Sequence, residues 1–408
     1  VPHRLAALFD RRALAISGVV LLAVTMRSGV AAVSPLVELI REDFALSNTF
    51  LAVLAAIPPA CFALAGLFST VMSNHVRPER LVVGAMVLAT ASLVARGFVT
   101  DSVGLLVATI GLFVAVGISN IALPPLVKEY FPNRIAAATA TYTTVMACAT
   151  LAPPLVGGPL AAQLGWRFSL AIWAVFAALA IAPWAVLAVQ SRTRGGARST
   201  RGVTAAALRM WRHPVAWALL TIFTVAAIFA YTAFTWLPTV LAETAGVDAD
   251  AAAGLLALYA AIGLPLSLLA PALARRPAAV RLMCLLAAMT GGAGLAGILL
   301  APAFSPVLWV LLWALAGVMF PLALTLMSMK ARTAAGAEGL SIFVQGCGYA
   351  TAAAMTFGFG ALHELSDGWV VPLLFLAVIL VAVIPAGIVL GRPTTVEDRG
   401  DRCPVRAD

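Results

Sequence analysis

Apolar residues run along this chain in long blocks, separated at regular intervals by short polar gaps. The blocks cover roughly 14–40, 49–72, 81–99, 103–127, 135–158, 168–189, 214–240, 251–273, 280–301, 306–328, 338–362 and 369–391. Each is about as long as, or longer than, the ~20 residues a helix needs to cross ~30 Å of hydrocarbon. A helix satisfies its own backbone N–H and C=O groups, which a bilayer core cannot do. The pattern therefore predicts an all-α integral membrane protein of twelve transmembrane helices. The first block is too long for a signal peptide and lacks a small-residue cleavage site, so it reads as a retained span.

The polar gaps are not equivalent. Of the 26 Lys and Arg residues, all but Arg27, Arg41, Arg96 and Arg167 fall before the first block, after the last, or in or at the edge of every second gap between, Arg281 being the one at an edge. Arg27 lies inside a block, and the other three fall on the opposite side. By the positive-inside rule both termini face the cytoplasm, in a multi-pass protein of the cytoplasmic membrane. The longest polar stretch, Gln190 to His213, divides the blocks six and six. The organisation expected is a six-helix bundle over 1–189, a cytoplasmic linker over 190–213, a second six-helix bundle over 214–391 and a cytoplasmic tail over 392–408.

Composition narrows the class. The chain is 62% hydrophobic and 11% charged, with a mean hydropathy of +1.02, against about 25% charged for a soluble domain. A net charge of +9 is spread over short loops, so it sets topology and meets anionic lipid heads; no nucleic-acid partner is expected. The five cysteines, Cys61, Cys148, Cys284, Cys347 and Cys403, lack metal-type spacing and read as small apolar side chains. The four histidines, His3, His75, His213 and His363, lie outside or at the edges of the blocks. With no nucleophile–base pair or ligand set at membrane depth, an enzyme is not expected, nor any cofactor or metal. No Gly-x-x-x-x-Gly-Lys-Ser/Thr loop is present to support an ATP-driven pump.

The two halves echo each other. Leu126-Val127-Lys128, a basic hinge to Arg134 and a helix from Ile135 are matched by Met327-Ser328-Met329-Lys330, Arg332 and a helix from Glu338. The stretch from Asn74 to Arg80, containing Arg77-Pro78, is matched by Ala274-Arg275-Arg276-Pro277 and Arg281. Two similar six-span halves around a long central loop are the layout of the major facilitator superfamily. Within it, the chain resembles the cyanate and nitroimidazole permease branch. The residues that carry this resemblance are Met26-Arg27-Ser28-Gly29 through Ser34-Pro35-Leu36 and Gly117-Ile118-Ser119-Asn120 through Pro124-Pro125-Leu126-Val127-Lys128. Phe131-Pro132-Asn133-Arg134, Thr235-Trp236-Leu237-Pro238, Gln345-Gly346-Cys347-Gly348-Tyr349, Gly360-Ala361-Leu362-His363 and Trp369 extend it. The chain departs from the pattern at Ser34, where Gly is commoner, and in the second-to-third loop, which lacks the usual acidic residue of the gating motif. The resemblance implies two pseudo-symmetric bundles, a small-molecule substrate, alternating access and a monomer in the bilayer.

The residues themselves point to candidate chemistry. Arg27 lies near the middle of the first block, where a charge costs about 2.5–3.5 kcal/mol even on gentle insertion scales. Its helical neighbours Ala23, Ala31 and Ser34 form a small-residue strip suited to a cavity wall. Two readings stand: an anion-binding guanidinium, or a structural one bonded to carbonyls, Asn120 or Gln345. Ser341, Gln345, Tyr349 and Thr356 share one face of the eleventh span, either lining a site or bridging helices. Asn120 either donates to an anion or satisfies a carbonyl freed by Pro124-Pro125. Tyr142, Tyr231 and Trp236 are candidate walls of the site, with the outer aromatic belt the alternative for Trp236. Arg77, Arg80, Arg275 and Arg276 either brace a gate on helix C-termini or only fix topology, with Glu129 and Glu338 as candidate gate partners. Pro153 to Pro159 resembles the Gly-Pro-x-x-Gly-Gly element of antiporters in the superfamily.

The function expected is secondary or facilitated transport of a small solute, with cyanate or an organic carboxylate favoured by Arg27. Efflux of a neutral heteroaromatic such as a nitroimidazole is the alternative, and a solute sensor without transport is a third. No titratable group is expected at midspan, so uniport, exchange or coupling through the substrate's own proton is expected. Direction stays open.

Overall fold

A computed structural model describes residues 11–33, 36–44, 50, 54, 57–65, 76–193 and 208–398. Among these there are helices and turns and no strand. Among the described residues, eleven helices are long and apolar enough to cross a membrane. The expected second span, 49–72, is described as helix over 57–65 (α3), and the rest of that span lies largely outside the described residues. Ser34 and Pro35, most of the linker and the tail beyond residue 398 also lie outside them.

The sequence sets where the helices begin. Pro78, Pro214, Pro277 and Pro306 each occupy the first helical turn, where a missing N–H costs nothing and the fixed φ is already helical. Asp101, Asp248 and Thr333 accept from the backbone N–H three residues on, at 2.6, 2.8 and 2.9 Å. These caps start their helices one, two and four residues ahead of the apolar blocks. The result is α4 (Pro78–Arg96), α5 (Ser102–Tyr130), α6 (Ile135–Leu164), α7 (Trp166–Ala171) and α8 (Ala174–Thr193). After the linker come α9 (Pro214–Ala245), α10 (Ala249–Leu273) and α11 (Pro277–Leu300). The tenth span is α12 (Pro306–Leu315), a 3-10 turn (Ala316–Val318) and α13 (Met319–Met329). The last elements are α14 (Ala334–Ser366), α15 (Val370–Val381) and α16 (Val383–Leu390). The repeat appears in the fold: α4 and α11 both start on an Arg-Pro pair.

One expectation needs correction. The first block is not one helix: α1 (Arg11–Ala31) stops, and α2 (Val37–Asp43) follows after a break. Gly29 and the Ser34-Pro35 pair are poor helix formers at the point where the helix ends. The break lies four residues past Arg27 and leaves the last carbonyls of α1 without in-helix donors.

Contacts between span ends fix the topology. Arg77 donates to the Ser191 carbonyl, Tyr130 Oη to Glu79 Oε1 at 3.0 Å, and Arg281 to the Gly391 carbonyl at 3.1 Å. These ends lie together on what is here called the basic face. On the opposite face, Asp43 accepts from Trp166 Nε1 at 2.9 Å and pairs with Arg167, and Trp369 Nε1 donates to Glu243 at 2.8 Å. The outer surface is apolar, with Val107, Leu155, Leu286 and Val378 exposed. Such a surface suits lipid, which offers tails where water would demand polar groups.

Candidate functional site

Arg27 is half-buried on α1, and its guanidinium lies 5.5 Å over the ring of Phe320 on α13. That contact crosses from the first half of the chain to the second. No carboxylate pairs with Arg27 among the described residues. Its charge acts on two tyrosines of the second half, Tyr231 on α9 and Tyr349 on α14. Both lie near the middle of their helices. Tyr349 is a ring hub: Phe62 at 5.0 Å, Phe223 at 4.9 Å and Tyr231 at 6.5 Å all meet it edge-on. Phe223 in turn tilts against Phe320 at 5.9 Å. Tyr142, buried on α6, is within electrostatic reach of Tyr349, and its hydroxyl lies beside that of Thr139.

The structure thus brings Arg27, Tyr142, Tyr231 and Tyr349 together around midspan. Arg27, Tyr231 and Phe320 are half-buried there, whereas Tyr142 and Tyr349 are buried. The arrangement offers one cation, a weak ring-face partner and aromatic edges. Edge hydrogens carry the positive end of the ring quadrupole, so they also suit an anion.

Asn120 and Gln345 belong elsewhere. Gln345 Nε2 donates to the Asn120 carbonyl at 3.0 Å and to Ser341 Oγ at 2.8 Å; Ser341 Oγ donates to the Ile121 carbonyl at 2.9 Å. It is the main chain of Asn120 that is engaged, by a side chain of the other half. Trp236 sits nearer the opposite face, against Trp369 at 5.8 Å and near Phe359 and His363. On the basic face, Arg77 reaches the end of α8, whereas Arg80 is half-buried and bonds Arg77 through its backbone N–H. Arg275 and Arg276 are exposed, and Arg281 makes the matching carbonyl contact in the second half.

Sequence reasoning missed several residues. Phe62, Phe223 and Phe320 look like any other apolar residue of a span, and only the packing reveals that the first two meet Tyr349 and the third meets Arg27. Arg96 was assigned to a loop on the opposite side, but it is fully buried. Its Nη1 donates to the Gly29 carbonyl at 2.7 Å and its Nε to Thr109 Oγ1 at 3.2 Å, with the Phe113 ring 6.0 Å away. Gly29 is one of the final carbonyls of α1, so Arg96 caps the broken helix, where a cation is favoured. No group of three or more His, Cys, Asp or Glu residues that could hold a metal occurs among the described residues.

Comparison with known proteins agrees with this architecture. The chain is 28% identical over 388 residues to the 2-nitroimidazole transporter of Escherichia coli K12, covering 93% of this chain and 96% of that one. It is 26% identical over 375 residues to the cyanate transport protein CynX of the same organism, covering 90% and 94%. An uncharacterized transporter, YycB of Bacillus subtilis 168, is 27% identical over 382 residues, covering 92% and 93%. Among solved structures, the proton:xylose symporter XylE superposes with a TM-score of 0.69 at 16% identity, covering 93% of this chain and 94% of that one. The transporter FucP gives 0.69 at 14%, covering 94% and 99%. The family model of the Major Facilitator Superfamily matches residues 16–356. This chain belongs to the Major Facilitator Superfamily, as a non-enzymatic membrane transporter.

Proposed function

We propose that this transporter moves a small anion, cyanate or a compact organic carboxylate, through a midspan site built around Arg27. The carrying observation is the Arg27 guanidinium held against Phe320, with no carboxylate partner among the described residues. A cation in a low-dielectric site lowers its free energy most by meeting an opposite charge. Tyr231 and Tyr349 supply ring edges, and the Tyr142 hydroxyl, beside that of Thr139, a donor. The cyanate transport protein among the relatives supports this reading. With the basic face cytoplasmic, the solute crosses the cell membrane as the two halves rock about the site. The chain acts as a monomer.

A second reading rests on the ring lining. A flat neutral heteroaromatic would pack among Phe62, Phe223, Tyr231 and Tyr349, and a relative is named as a 2-nitroimidazole transporter. Thermal shift of the purified protein separates the two, because a ligand that binds the folded state raises its melting temperature. Cyanate or benzoate is expected to stabilise the parent protein and to have no effect on Arg27→Ala. Stabilisation of both proteins by 2-nitroimidazole, with no response to either anion, would overturn the anion reading in favour of the heteroaromatic one.

A further inference from the structure

A proline inside a helix leaves the carbonyl four residues earlier without its in-helix donor. Pro124 and Pro125 in α5 free the carbonyls of Asn120 and Ile121 in this way, and Pro271 in α10 frees that of Ser267. All three are taken by side chains of the other half of the molecule. Gln345 Nε2 holds the Asn120 carbonyl at 3.0 Å and Ser341 Oγ holds that of Ile121 at 2.9 Å, while Thr143 Oγ1 shares its proton between the Ser267 carbonyl at 3.1 Å and the Thr139 carbonyl of its own helix at 2.8 Å. Ser328 Oγ adds a bond to the Pro124 carbonyl at 2.9 Å, and Thr144 Oγ1 meets Ser267 Oγ at 3.0 Å. These bonds lie in the basic-face portions of their helices. At the level of these bonds, Ala65, Ile121 and Ile342 form a buried apolar cluster.

We infer that Gln345, Ser341 and Thr143 are gate residues of the transport step, latching the two halves at the basic face onto carbonyls that prolines have freed. An unbroken helix would spend those carbonyls on itself and offer the other half nothing to hold. Here the proline supplies the acceptor and the facing helix supplies the donor. When the halves part, water entering the crevice replaces the donor, so the latch opens without orphaning a buried group. Its strength is modest by construction: interhelical hydrogen bonds in membranes average ~0.6 kcal/mol. A gate that must open on every cycle requires bonds of that size. The inference is independent of which solute moves; it needs only that the halves separate at this face.

The test uses Ile342→Cys, at the crevice shared with Pro78, Leu81, Ile118, Ile121 and Glu338. The native cysteines are replaced by alanine except Cys284, which is buried within the second half and reports unfolding. Labelling by a charged methanethiosulfonate reagent is followed by mass spectrometry. Gln345→Ala, Ser341→Ala and Thr143→Val are each expected to speed labelling of Cys at 342 about threefold, with Cys284 unlabelled. Pro124→Ala with Pro125→Ala is expected to speed it as well, since the restored N–H groups satisfy the carbonyls without the other half. In that background Gln345→Ala should add little. Ser169→Ala, which removes a buried hydroxyl-to-carbonyl bond inside the first half, should change nothing. Unchanged labelling in the side-chain variants, or equal acceleration by Ser169→Ala, overturns the latch. If the proline variants do not fold, the side-chain variants decide alone.

Discussion

Two arginines lie inside the first half of this transporter on either side of Gly29, and they live in opposite circumstances. Arg96 is fully buried, and two of its three nitrogens are answered by fixed protein groups, the Gly29 carbonyl and the Thr109 hydroxyl, with Nη2 left over. Arg27 is half-buried and answered only by a ring face among the described residues. Positions 27 and 29 are about 200° apart around a helix. The Gly29 side therefore packs on α4 and α5 while Arg27 turns toward the second half. Both charges are costly in a bilayer, yet only one has been made part of the scaffold. Depth does not tell a working intramembrane charge from a structural one; the partners do.

This contrast is open to attack at its strongest point by paired substitutions. Arg96→Ala should destabilise the protein by about 2 kcal/mol, the worth of a hydrogen bond to a charged group in a buried site. Arg27→Ala should leave stability without ligand unchanged or slightly raised, because binding groups are often held at some cost to the fold. Thermal unfolding of the two variants side by side measures this. Equal destabilisation would erase the distinction and make Arg27 a structural residue.

Gly29 tests the same arrangement more gently. A Cβ there would fall 2.8 Å from Leu112 Cδ2 and 3.2 Å from a Leu93 methyl. The glycine is what lets α1 approach closely enough for Arg96 to reach its carbonyl. Gly29→Ala should cost about 1 kcal/mol, toward the low end for overpacking because leucine methyls can shift. The loss should shrink in an Arg96→Ala background, since the approach then serves nothing. Additive losses would show that close packing and the carbonyl bond are independent.

The sequence made the spans legible because length and hydropathy are local properties, and the Arg-Pro starts of α4 and α11 made the repeat legible too. The break after Arg27 was not read, since small residues in an apolar block are as common in continuous helices. At the site, Arg27 was conspicuous as a charge in a block, and Tyr142, Tyr231 and Tyr349 as polar residues at depth. Gln345 and Asn120 carried the same signal and serve a different place. One helical turn of α14 separates a ring packed against Tyr231 from an amide that fills a proline-freed carbonyl. That difference depends on the register between α14 and α5, which one chain's polarity pattern does not contain. Arg96 was misplaced because its block was read to end only three residues later, so the charge looked like a boundary.

The smallest effect belongs to the opposite face, where a charged group is neither deep nor unpartnered. Asp43 accepts from Trp166 and pairs with Arg167, and these contacts, Trp166 first, hold its carboxyl below its ordinary value of 3.8. A depressed carboxylate contributes stability that is fully present above its unfolded value and is lost as pH falls through the folded one. Melting temperature should therefore dip slightly only in acid below about pH 4, and Asp43→Asn should flatten that dip while changing little at neutral pH. The group is solvent-exposed, so salt should screen the contact, and the dip should shrink at high ionic strength. A salt-insensitive dip that survives Asp43→Asn would assign the acid response to another carboxylate. If instead Asp43→Asn at neutral pH matched the loss from Arg96→Ala, an exposed pair would be equal to a buried cap, and partner chemistry would no longer separate the arginines of this protein.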